Sequence, residues 1–234
     1  MGWLFERNNL LRITGISAMI GMTVILFADI NLLYLPVEVN SYSVFKKAMD
    51  MERSDILFYS RMSFFAAPFI FFGLFHFFIA ILRTNRLLAW AVLVTFFFGY
   101  LNNTMFNIFL GYIMSVAHEI VPLKIRIPGL SEYFYHLFQI LFMVSIGIGA
   151  IFFFIHQRFF KTNYPKWFIW ITPLNLIFVI RFIVPLVTSP SIAGFLFIAA
   201  MNLCMLATTV ISTVILWNKI PDELLPAEPV LQQV

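Results

Sequence analysis

Three ionisable side chains stand inside runs of apolar residues long enough to cross a bilayer: Asp29, His76 and Arg181. In hydrocarbon such a group is costly unless it is paired or hydrated, so its presence points to a function or to a deliberate pairing. Asp29 and Arg181 are opposite charges at similar depth in different segments, and pairing them would relieve both desolvation penalties. Two readings are open. One is an ion pair facing a cavity that takes a substrate or a proton. The other is a pair that docks helices, or an Arg181 that reaches out to the headgroups. His76 is in the same way either a satisfied interior histidine or a catalytic one.

A second group of polar residues lies in the third apolar segment, at Asn102, Asn103, Thr104 and Asn107. Asn103 and Asn107 are four apart and share a helix face, while Asn102 is rotated away. Amides there serve as interhelical glue or line a polar cavity, and Asn175 and Asn202 could join either arrangement. A third group, His118, Glu119, Glu132 and His136, lies at the ends of the third and fourth segments. Glu132 and His136 are spaced i, i+4 and project from one face. Two histidines with carboxylates are zinc-ligand types, although no His-Glu-x-x-His motif is present. No Gly-x-Ser-x-Gly elbow, phosphate-cradling loop or nucleotide fingerprint occurs.

The elements that must position these residues follow from composition. The 234 residues are 62% hydrophobic and 11% charged, with a mean hydropathy of +0.93. A soluble domain carries about 25% charged residues, so this chain must present an apolar surface to lipid. The expectation is an all-α integral membrane bundle of about six helices within residues 1–220, followed by an extended or disordered tail over 221–234. The spans fall at about Leu10–Leu35, Ser60–Leu82, Leu87–Val116, Tyr133–His156, Trp167–Val187 and Ser191–Trp217. Trp167, Trp170 and Trp217 stand at their ends, where headgroups are expected. Ser17 and Gly21, with Gly15 and Ala18, make the first helix slim enough for a close neighbour. Between the first two spans, Val44, Phe45, Ala48 and Met49 interleave with charged residues, the pattern of a short amphipathic interfacial helix.

The single cysteine, Cys204, excludes an intramolecular disulfide and argues against a cysteine-based metal site. The net charge of +4 is spread out, which argues against nucleic acid as a partner. The tight basic turns point to cytoplasmic N- and C-termini.

The stretches Leu11-Arg12-Ile13-Thr14-Gly15-Ile16-Ser17-Ala18, Phe27-Ala28-Asp29 and Ala67-Pro68 through His76 resemble a group of uncharacterised bacterial polytopic membrane proteins. The resemblance implies a bacterial inner-membrane setting and draws attention to Asp29 and His76. It brings no activity and no cofactor. The expected function is the binding or transport of a small amphipathic or lipid-like molecule in an intramembrane polar cavity, with Asp29, Arg181, His76, Asn103 and Asn107 as candidate ligand-binding residues. The alternatives are a lipid-modifying membrane enzyme, metal-assisted through His118, Glu119, Glu132 and His136, or a non-catalytic assembly partner.

Overall fold

The computed structural model describes residues 7–33, 51–82, 84–120, 129–183, 186 and 190–217. These residues are helical nearly throughout, and no strand occurs among them. Five helices are long and apolar enough to cross a membrane. They are α1 (Arg7–Leu33), α2 (Arg53–Leu82), α3 (Arg86–Ile120), α4 (Gly129–Phe159) and α6 (Pro190–Trp217), with a short α5 (Pro173–Phe178) between the last two. The all-α bundle expected from composition is therefore present.

Local signals explain the boundaries. Between α2 and α3 the amides of Thr84 and Asn85 both return to the carbonyl of Ile81, closing α2. The Asn85 side chain then accepts a hydrogen bond from the amide of Leu88 at 3.0 Å and caps α3. The second helix begins at Arg53, earlier than Ser60, because Glu52 accepts the amides of Asp55 and Ile56 and starts the first turn. The amphipathic helix expected around Val44 and the tail beyond residue 220 lie outside the described residues.

The segment expected as a continuous fifth span is instead divided. A 3-10 helix (Lys166–Ile171) is followed by α5 and by a π-helical turn (Val179–Ile183). The cause is Pro173. A residue before proline is pushed out of the helical region, and Thr172 accordingly has φ −66° and ψ 150°. Pro173 then starts the next helix at a position where its missing N–H is no loss.

The divided segment lies between α4 and α6 in the chain. Helix α6 runs antiparallel to α1, since Arg12 meets Trp217, Thr213 packs on Gly15, and Asn202 reaches Asp29. Helix α4 ends near the same end as α6, because Tyr164, just beyond α4, bonds Ser212. Helix α6 begins at the opposite end, where α1 finishes. Arg7 and Trp217 therefore lie at the same end of the bundle.

Small residues set the closest helix approach. A Cβ placed on Gly73 of α2 would overlap the backbone of Ala18 on α1, and one on Gly21 would overlap Ile70. This is the slim face expected of α1. The apolar interior forms two clusters. The larger includes Met22, Ile25, Ile70, Phe77, Phe96 and Tyr100. The smaller comprises Leu32, Ile56, Phe106, Leu110 and Met114. Asp29, between Ile25 and Leu32 on α1, lies where the two clusters meet.

Candidate intramembrane binding site

Helix α1 carries Asp29 into the middle of the bundle, where it is 4% exposed. One carboxyl oxygen accepts a hydrogen bond from Asn107 Nδ2 of α3 at 2.6 Å. The other accepts from Asn202 Nδ2 of α6 at 2.5 Å. Asn107 Nδ2 also donates to Ser63 Oγ of α2 at 2.9 Å, and Ser60 one turn away donates to the Asn107 carbonyl at 2.9 Å. Four helices therefore converge on one carboxyl group through amide and hydroxyl side chains.

Helical periodicity explains why α3 supplies so much of this site. Tyr100, Asn103, Thr104 and Asn107 recur at i, i+3, i+4 and i+7 and form one inward stripe. All four are buried. Asn102 points elsewhere, as its spacing implies, and donates to the carbonyl of Phe98 on its own helix at 2.7 Å. Asn103 approaches the Asp29 carboxyl without closing a hydrogen bond, and its Nδ2 lacks a partner.

Asn103 Nδ2 is one of several such atoms. Tyr100 Oη, Thr104 Oγ1, Asn107 Oδ1 and Asn202 Oδ1 are also buried without a hydrogen-bond partner. Of the six such atoms among the described residues, four belong to the α3 stripe, one to the residue that grips Asp29 from α6, and one, His156 Nε2, to the far end of α4. An amide oxygen lies about 2.2 Å from its own nitrogen, so each asparagine Oδ1 is within about 5 Å of the carboxyl oxygen its nitrogen bonds. The carboxyl group and two amide oxygens are thus concentrated around one point inside the bundle.

Arg181 belongs to the π-helical turn, but its side chain lies outside the described residues, as do those of His118, Glu119 and Glu132. The Asp29–Arg181 pair and the zinc-type cluster are therefore expectations on which the described residues do not bear. His136, the remaining member of that cluster, is exposed.

His76 belongs to a different site. Its Nδ1 donates to the carbonyl of Leu11 at 3.0 Å, and its Nε2 lies 2.7 Å from Ser212 Oγ. Ser212 Oγ is also 2.7 Å from Tyr164 Oη. Since Nε2 must then be the acceptor, Ser212 donates to it, and Tyr164 donates to Ser212. This chain joins α1, α2, α6 and the connection after α4. Every ring nitrogen of His76 is satisfied, which is the arrangement of an interior histidine. Tyr164 was not singled out from the sequence because it lies in a connection. The signal that could have revealed it is the run Thr208, Thr209, Ser212 and Thr213, a polar face on an otherwise apolar α6.

The class defined by this fold is a polytopic helical membrane protein with a polar centre inside the bilayer-spanning bundle. Comparisons with family models, curated proteins and solved structures find no match, so the site is read from its own geometry.

Proposed function

We propose that the protein binds, and moves across the bacterial inner membrane, a small amphipathic molecule whose polar head is an amine, with Asp29 at the centre of the binding site. The observation that carries this reading is the buried Asp29 carboxyl ringed by polar atoms that lack partners. A primary ammonium has three N–H donors. Asp29, Asn107 Oδ1 and Asn202 Oδ1 are three acceptors of the matching kind. Unpartnered donors beside them, Asn103 Nδ2 and Tyr100 Oη, suit an oxygen on the same head. An ion entering such a centre gives up its hydration shell and needs fixed partners in its place, and here the partners are already buried.

The test compares decylamine, decanol and decanoate as additives to the protein in lipid nanodiscs, read as shifts in the thermal midpoint. Decylamine is expected to raise the midpoint of the wild-type protein, and decanol and decanoate to leave it unchanged. Gly147→Ala, on the open side of α4, is expected to fold normally and retain the response. Asp29→Asn is expected to lose it. Equal shifts from all three additives, or a decylamine shift that survives Asp29→Asn, would overturn the reading.

A further inference from the structure

The geometry points to a second, separate site: an interfacial cavity at the end of α4 that holds the phosphate headgroup of an anionic phospholipid. A cavity of about 770 Å³ opens where α4 gives way to the 3-10 helix and α5. Arg158, Lys161 and Lys166 all line it, together with Gln157, Tyr164 and Trp170. Among the described residues that line it, none is acidic. The sequence deepens that imbalance, because no aspartate or glutamate occurs anywhere from Tyr133 to Pro221. Three cations gathered on one cavity that no described acidic residue lines suit an anion from outside.

Depth identifies the source. The cavity begins where the membrane-crossing part of α4 ends at Phe159. Trp167 and Trp170 flank it at 51% and 72% exposure, and aromatic rings of this kind settle at headgroup level. A phosphate held here remains attached to acyl chains that lie along the bundle's apolar flank. The cavity is also a built one. Its Tyr164 wall is stacked on Phe168 at 4.3 Å between ring centroids and is bonded through Ser212 to His76. His76 is thus a positioning residue that holds one wall of the cavity from the bundle core.

The test uses native mass spectrometry of protein from nanodiscs containing phosphatidylcholine with an equal share of phosphatidylglycerol. Wild-type protein is expected to retain phosphatidylglycerol preferentially. The triple variant Arg158→Gln, Lys161→Gln, Lys166→Gln is expected to lose that preference by on the order of a hundredfold, from about a fivefold effect per cation. These side chains are exposed at the surface, and an unchanged melting midpoint in pure phosphatidylcholine checks that the variant is folded. Lys161→Arg with Lys166→Arg, which keeps the charge, should keep the preference. An undiminished preference in the triple variant would overturn the site. Displacement of the lipid by millimolar glycerol phosphate would overturn the lipid assignment in favour of a free phosphate compound.

Discussion

At the scale of single residues, the informative fact about Asp29 is that its described partners are neutral. Both carboxyl oxygens are occupied by asparagine amides, and those amides keep their own oxygens unpartnered. A site built only to join helices would be expected to satisfy both ends of each amide. The sequence made Asn103 and Asn107 legible as a shared face, because helix period alone places them. The Asn202 contact was not legible, since it depends on how far α6 is shifted along α1, and that shift is set by packing of Thr213 on Gly15. The coupling between Asp29 and Asn202 can be measured by a double-mutant cycle of Asp29→Ala, Asn202→Ala and both, using thermal or denaturant unfolding in detergent. Side-chain hydrogen bonds between membrane helices average about 0.6 kcal/mol and reach about 1.7. A hydrogen bond to a buried carboxyl group should fall at the upper end, with a coupling of about 1–2 kcal/mol. Strict additivity would mean that the contact contributes nothing to stability.

At the scale of elements, helices α1 and α2 depend on small residues in a way the sequence disclosed only in part. The slim face of α1 was visible as Gly15, Ala18 and Gly21. Its partner Gly73 was hidden in a phenylalanine-rich stretch where nothing marks it out. A methyl group at Gly73 would meet the backbone of Ala18, which cannot rotate aside. Gly73→Ala should therefore force the helices apart and cost about 1–3 kcal/mol. Gly147 on α4 is the control, because nothing lies within 4 Å of a Cβ placed there. Gly147→Ala should gain helix propensity and be neutral or stabilising by up to about 1 kcal/mol. Unfolding midpoints of the two variants, measured side by side, check the contrast; similar losses would mean that helix contact is not what fixes the glycine at 73. The divided segment between α4 and α6 teaches a related lesson. Hydropathy saw one apolar stretch there, whereas the Thr172-Pro173 bond controls its backbone, and hydropathy is blind to that.

At the scale of the whole molecule, the two sites lie at different depths. Asp29 stands toward the end of the bundle where α2 begins, while the basic cavity lies at the end shared by Arg12, Thr84 and Trp217. The same end is fastened by Arg12, whose Nε and Nη2 donate to the carbonyl of Trp217 at 3.1 and 2.7 Å. The guanidinium also lies 5.0 Å from the centre of the Trp217 ring, so the first helix closes the last. Which end of the bundle faces the cytoplasm is decided by cysteine labelling. Cys204 is buried within α6 and gives no background to an impermeant maleimide. Glu52→Cys, Thr84→Cys and Asn163→Cys place probes before α2, between α2 and α3, and after α4. With Arg7 and Trp217 in the cytoplasm, intact cells should label Glu52→Cys alone, and permeabilised cells all three. Labelling of Thr84→Cys and Asn163→Cys from opposite sides would contradict the antiparallel arrangement of α3 and α4. Labelling of those two from outside, with Glu52→Cys protected, would reverse the orientation. The basic cavity would then face the outer leaflet, and its phosphate would have to come from the lipids there.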